Sequence, residues 1–136
     1  MIKSINHDVN FLTQSAKTAT KADSATVTDL IDTLQAHQAD CVGMAANMIG
    51  VNKRIIICRM GMLPVILINP IIINKTGSYI TKEGCLSLIG QRTTTRYQSI
   101  EVTYQDQSFV NHQQKFTGWI AQIIQHEVDH CEGILI

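Results

Sequence analysis

The sequence predicts an α+β fold in which antiparallel β-sheets wrap a central helix near the carboxyl end, and three observations carry that prediction. Ile120, Ile123, Ile124 and Val128 form an apolar stripe at helical spacing just before the chain ends. Ile100, Val102 and Tyr104 alternate with Glu101, Thr103 and Gln105, the pattern of a half-buried antiparallel strand. Upstream lie short apolar runs punctuated by Pro, Gly and Asn, as strands separated by turns are.

Taken in order, the chain is polar through Ser24, rich in Lys, Thr and Ala. Thr26-Val27-Thr28-Asp29 has the form of a capping box, and Val27, Leu30, Ile31 and Leu34 share one face, so a helix is expected from there to about Gln38. Strands are expected over 54–58, 65–69, 71–74 and 77–82. A partner for the 100–105 strand is expected at 109–116, although no hairpin-type glycine marks the turn. The last helix is expected to open at Thr117, with its hydroxyl capping the first turn, and to run through His130 to a stop at Gly133. Ile134-Leu135-Ile136 leaves room for a short final strand.

The chain has 136 residues, 45% of them hydrophobic and 16% charged, which suits a single domain over 1–136. Eleven basic residues balance eleven acidic ones, so no surface for nucleic acid is expected. No apolar run approaches the roughly 18 residues of a membrane span, because Pro64, Asn69 and Pro70 break the region 63–73. Four cysteines without regular spacing, and no apolar stretch after Met1-Ile2-Lys3-Ser4, lead us to expect reduced thiols in the cytoplasm.

The chemistry concentrates in His126-Glu127-Val128-Asp129-His130. Residues four apart share a helix face, so the two imidazoles can converge on one metal ion with Glu127 beside it. Such an ion makes a bound water acidic, and a neighbouring carboxylate can carry its proton to a leaving group. A catalytic site wants a third protein ligand. Only Cys131-Glu132-Gly133-Ile134-Leu135-Ile136 follows, so that ligand is expected upstream, among Cys41, Cys58, Cys85, His7, His37 and His112. Context favours Cys85, in Lys82-Glu83-Gly84-Cys85-Leu86-Ser87, where a charged pair and a glycine interrupt the apolar pattern. Cys58 closes Ile55-Ile56-Ile57 and reads as a small buried hydrophobe.

Three motifs in this order resemble those of the peptide deformylases. Gly43-Met44-Ala45-Ala46-Asn47-Met48-Ile49-Gly50 is similar to the family's first motif, Glu83-Gly84-Cys85-Leu86-Ser87 matches the second, and Gln125-His126-Glu127-Val128-Asp129-His130 matches the third. The likeness runs from about Val42 to the carboxyl end. It implies that Cys85, His126 and His130 hold one divalent ion, typically ferrous iron, with zinc, nickel or cobalt able to replace it. It further implies Glu127 as general acid/base and the Leu86 N–H as a donor to the oxyanion. Gly43, with Met44 beside it, would bind the substrate main chain. The implied reaction removes the formyl group from N-formylmethionyl peptides of new chains. Ile123 and Ile124 are expected to line the methionine pocket.

The first motif of active deformylases ends in a Gln whose amide supports the oxyanion, and Met48 stands there instead. A thioether is no donor, so reduced activity is expected, at a cost of roughly 10²–10³ in turnover. Cys41 replaces a glycine, and Ile89 a proline. The alternative to a weakened enzyme is a metal-containing protein that binds peptide termini without turning them over. A general metallopeptidase is disfavoured by the lack of a downstream ligand. Arg92 and Arg96 follow the cysteine loop and could orient a carboxylate near the site; the bland readings put them on a solvated face instead and leave Met48 as core filling, with Cys131 turned about 100° from His130 around the helix.

Overall fold

In the computed structural model, which describes residues 1–136, the organising element is the run Ile55-Ile56-Ile57-Cys58. It shows no alternation because both faces of its strand are covered. In this strand, β2 (Ile55–Met60), Ile55 and Ile57 join a core cluster with Val27, Leu30 and Leu34 of the helix Ser24–Ala36. Ile56 and Cys58 project oppositely, into a cluster with Ala121, Ile123, Ile124 and Val128 of the helix Gly118–Cys131. One strand therefore separates two helices. We number the helices α1 (Val9–Leu12), α2 (Ser24–Ala36) and α3 (Gly118–Cys131).

The remaining strands are β1 (Gly43–Ala45), β3 (Leu63–Gly84), β4 (Gln91–Gln105) and β5 (Asn111–Thr117). They form one antiparallel sheet in the order β1-β2-β3-β4-β5. α3 contacts all five strands, so the sheet curls around the helix as expected, but it is one continuous sheet rather than several. The strands expected at 65–69, 71–74 and 77–82 are one strand, β3. Its interruptions are irregularities of register between Ile68 and Ile71 and between Ile72 and Asn74, beside the left-handed Asn69 (φ 52°). Bulges of this kind bend a strand without ending it, and a local reading of Asn69-Pro70 takes the bend for a boundary.

Other differences are local. α2 begins at Ser24, and the capping box lies upstream, where the Thr20 and Asp23 side chains and backbones bond reciprocally around the short 3₁₀ turn Lys21–Asp23. The Thr117 hydroxyl makes no capping bond to α3. Residues 134–136 form no strand. Ile134 N–H instead donates to the Asp129 carbonyl, and a Cβ on Gly133 (φ 74°) would collide with the Thr13 carbonyl. Close packing against the amino-terminal segment thus requires glycine at the helix end. No helix is long and apolar enough to cross a membrane.

Candidate active site

α3 presents Trp119, Gln122, Ile123, His126 and Glu127 along one face, at the i, i+3, i+4, i+7, i+8 spacing of a helical stripe, and this face walls a cavity of about 460 Å³. The facing wall comes from Asp40–Gly43 with Met48, and from Lys82–Leu86 with Gly90 and Gln91. The cavity forms where the end of β3, the entry to β1 and α3 meet.

Gly43 sets the approach of β1 to α3. A Cβ there would lie 2.8 Å from Ile123 Cγ2, 3.0 Å from Glu127 Oε2 and 3.1 Å from the Ile57 carbonyl oxygen. Any side chain would push the helix off the strand. Two side chains of the motifs set the position of α3. Gln125 accepts from the Tyr97 N–H and donates to the Tyr97 carbonyl, both at 2.9 Å, which fixes the helix against β4. Asn47 Nδ2 donates to the His130 carbonyl at 2.9 Å. The amino-terminal segment straps both loops: Asn6 N–H donates to the Met48 carbonyl at 2.7 Å, and His7 Nδ1 lies 3.0 Å from the Ser87 carbonyl oxygen.

Cys85, His126 and His130 bring ligand atoms within 4.8 Å of one another. Cys85 Sγ is 3.2 Å from His130 Nε2, and the two imidazole centroids are 5.4 Å apart. Of the upstream candidates, only Cys85 joins the two histidines. Cys58 is fully buried in the core, and His112 pairs with Asp106 on the surface. One sulfur and two imidazole nitrogens suit a first-row divalent ion. Beside them Glu127 Oε1 is buried with no hydrogen-bond partner, a carboxylate oxygen left free next to the cluster. The residues present fit a metal ion.

Burial pushes the Glu127 carboxyl up to about 7, with His126 opposing and Glu83 adding to the rise. Burial would lower His126, but hydrogen bonds with Cys85 and Glu83 outweigh it and lift the ring to about 10. His130 is pushed the other way, to about 3, by burial and then by the neighbouring His126.

The sequence reading missed the support of His126. Glu83 Oε1 is 2.9 Å from His126 Nδ1. Arg96 grips the same carboxylate through Nε (3.1 and 3.0 Å) and Nη2 (2.7 Å), while its Nη1 donates to Asp129 at 2.6 Å. Burial would raise the Glu83 carboxyl, but bonds from His126, Arg96 and Gln122 hold it at about 2. Arg96 is only 4% exposed, which overturns its reading as a solvated residue. Strand pairing is the reason: β3 and β4 run antiparallel and bring residues 13 apart together over α3. The available signal was two carboxylates inside motifs, Glu83 and Asp129, with no cation assigned to them.

Arg96→Met should lower stability by about 3–5 kcal/mol, since removing one partner of a buried pair strands the other. Urea unfolding with an unchanged slope measures it; a loss below about 1 kcal/mol would remove Arg96 from the support of the fold.

One expected pocket residue, Ile124, and one expected substrate-binding residue, Met44, turn their side chains elsewhere. Ile124 and Met44 are fully buried in the two core clusters and do not reach the cavity. Ile124 is one residue on from Ile123, about 100° around the helix, and so faces the sheet. Ile123 does line the cavity, joined by Trp119 and Gln122. Met48 is 1% exposed, packed in the α2 core and touching the cavity wall. The Leu86 N–H has no backbone partner. Cys41 Sγ–H donates to the Gly43 carbonyl at 3.0 Å, and burial holds the thiol up at about 12. Ile89 is exposed and lines nothing at the site.

A helix-borne His-Glu-x-x-His with a cysteine closing the ligand set, inside a curled antiparallel sheet, defines a metal-dependent hydrolase. A sequence profile of the family described as polypeptide deformylase matches residues 1–136. A peptide deformylase of Clostridium beijerinckii is 56% identical over 136 residues, covering all of both chains. Among solved structures, peptide deformylases of Legionella pneumophila and Thermotoga maritima each superpose with a TM-score of 0.89 at 29% identity, covering 99% of this chain and 83% and 95% of theirs. The chain belongs to the peptide deformylase family, whose members use a single divalent metal ion and act on formylmethionyl peptides of nascent chains.

Proposed function

We propose that this deformylase-type hydrolase removes the formyl group from N-formylmethionyl peptides in the cytoplasm, with turnover reduced by Met48. The observation that carries the reading is the convergence of Cys85, His126 and His130 beside a buried, unpartnered Glu127. Cys85 and the two histidines would hold the ion, ferrous iron in the cell, with zinc, nickel or cobalt as substitutes. When bound, the ion supplies acidity to water and polarises the formyl oxygen.

The chain's own residues do the rest. Glu127 takes a proton from water and returns it to the departing amine. Its position near neutrality suits both steps. The Leu86 N–H, free of backbone partners, donates to the developing oxyanion. β1 is the end strand of the sheet, so its outer edge is open to an extended peptide at Gly43. Glu83 fixes which nitrogen of His126 faces the site.

The methionine side chain would run along α3 toward its amino end. Trp119 lies seven residues before His126, about 10 Å along the helix. It is 60% exposed at the cavity wall and is the single tryptophan of the chain. A thioether meeting its ring gains about 0.3–1.5 kcal/mol, so Trp119→Ala should raise KM about twofold to tenfold while kcat is kept. Quenching or a blue shift of Trp119 fluorescence on adding Met-Ala-Ser reads the same contact without turnover. An unchanged spectrum at saturating peptide would place the side chain elsewhere.

The decisive experiment is formate release from formyl-Met-Ala-Ser by anaerobically purified protein loaded with ferrous iron or nickel. Formate at a rate proportional to bound metal supports the reading. A fully loaded protein that releases none favours the alternative, a metal-containing protein that binds peptide termini, for which Met48 is the motivating feature.

A further inference from the structure

We propose that Gln122, braced by Tyr79, is a positioning residue for His126 that acts through Glu83. The inference rests on the metal-site reading above and extends it to residues outside the three motifs. Gln122 is one helical turn before His126, on the same face of α3. Its Nε2 donates to Glu83 Oε2 at 2.8 Å, and its Oε1 accepts from the Tyr79 hydroxyl at 3.3 Å. Glu83 Oε1 then meets His126 Nδ1 at 2.9 Å. The carboxylate thus spans two successive turns of one helix, with one oxygen assigned to each.

Arg96 alone does not make that assignment. Its short bond, 2.7 Å, goes to Oε1, and its Nε is nearly equidistant from both oxygens at 3.1 and 3.0 Å. This side-on fork fixes the carboxylate plane but leaves Oε2 with only its longer bond from the β4 side. Gln122 is the donor that engages Oε2 from the α3 side, and both Gln122 and Glu83 line the cavity. Without it, Oε2 would lose its shortest bond and the carboxylate its tie to the helix that carries His126.

An amide can face either way, and the Glu83 carboxylate, which only accepts, decides which, with Tyr79 bracing that choice. A hydroxyl donating to Oε1 of Gln122 leaves the NH₂ end for Glu83. The carboxylate therefore sets the amide orientation, Tyr79 braces the amide in it, the braced amide in turn steadies the carboxylate, and the carboxylate selects the imidazole nitrogen offered to an ion. All three links join β3 to α3, two elements far apart in sequence, and so depend on the packing of the helix against that strand.

The test uses the full-length protein with Co²⁺ as the probe metal and chelator-driven metal loss as the readout. Direct partners of a metal-binding histidine are worth about 10- to 100-fold in affinity, and Gln122 is one step further out. Gln122→Met, which keeps volume but not the donor, should speed metal loss about tenfold. Gln122→Glu, which sets an acceptor against Glu83, should do so at least as much. Tyr79→Phe should give about threefold, and the double variant Tyr79→Phe/Gln122→Met no more than Gln122→Met alone, because the hydroxyl acts only through the amide.

Retention within twofold in Gln122→Met, or losses that multiply in the double variant, would overturn the proposal. Tyr79→Phe removes a single oxygen from a half-buried side chain, so it reports even if the Gln122 variants fold poorly. A second readout needs no ion: in metal-free protein, exchange of the His126 Nδ1–H proton should quicken at least tenfold in Gln122→Met, and an unchanged rate counts against the proposal. Wild-type protein that bound no Co²⁺ would sink the metal reading, while this exchange measurement would still decide the positioning role.

Discussion

Glu127→Ala is expected to reduce formate release by about 10²- to 10⁴-fold, the range for loss of a positioned general acid/base, while metal occupancy stays at the wild-type level. In the proposed site Glu127 would touch the reaction but not the ion, since the three ligand atoms would come from Cys85, His126 and His130. Its Oε1 has no partner in the protein, so the substitution strands no donor, and the fold should tolerate it. Glu127→Gln is the companion variant, close in shape and unable to carry the proton. Both should bind Met-Ala-Ser as the wild type does by Trp119 fluorescence. Activity retained above a tenth of wild type in either variant would mean that another group moves the proton. Parallel loss of metal would mean that the carboxylate is structural.

Met48→Gln is expected to raise kcat by tenfold or more, toward the roughly 10²–10³ that a single oxyanion donor is worth, with little change in KM. Met48 is nearly as long as glutamine and already touches the cavity wall, and its backbone is tied down by the Asn6 N–H. The new amide would therefore start from the right place. The opposing term is burial: Met48 is 1% exposed within an apolar cluster, and an amide there costs stability unless the substrate oxygen completes its bonding. A loss of about 1–3 kcal/mol in the variant without substrate is consistent with that account. The same substitution in the Glu127→Ala background should give no gain. A fully metal-loaded Met48→Gln protein with unchanged turnover would favour peptide binding over catalysis as the role of the site.

Most of the ligand chemistry was legible because it is local. His126 and His130 are joined by one helical turn, and Glu127 lies beside them whatever surrounds the helix. The last helix and the 100–105 strand were legible from period alone, since each has one buried face. The run 55–58 was recognised as a strand, but nothing in it told which residue faces which helix. That needed α2 and α3 on opposite sides.

What stayed hidden depends on pairings between distant segments. The three strands expected between 65 and 82 merge into β3, because a bulge at Asn69 bends the backbone while pairing with β4 continues across it. Arg96 read as solvated because its partners, Glu83 and Asp129, are 13 and 33 residues away. Ile124 read as a pocket residue because one helical step, about 100°, separates the cavity face from the core face. Its side is chosen by the sheet.

By itself the sequence determined the α+β class and the family likeness, and it placed the His-Glu-x-x-His motif on the last helix, with Met48 where the family's first motif has Gln. These follow from residue type and short-range spacing, which backbone geometry converts directly into shared faces. The tertiary structure alone decided how those residues are supported and what the cavity presents: Glu83, Arg96 and Gln122 around His126, Trp119 and Ile123 along the wall, and Gly43 where α3 meets β1. Those relations exist only once β3 pairs with β4 and the sheet curls over α3, because hydrogen bonds and contacts between residues far apart in the chain have no counterpart in local spacing.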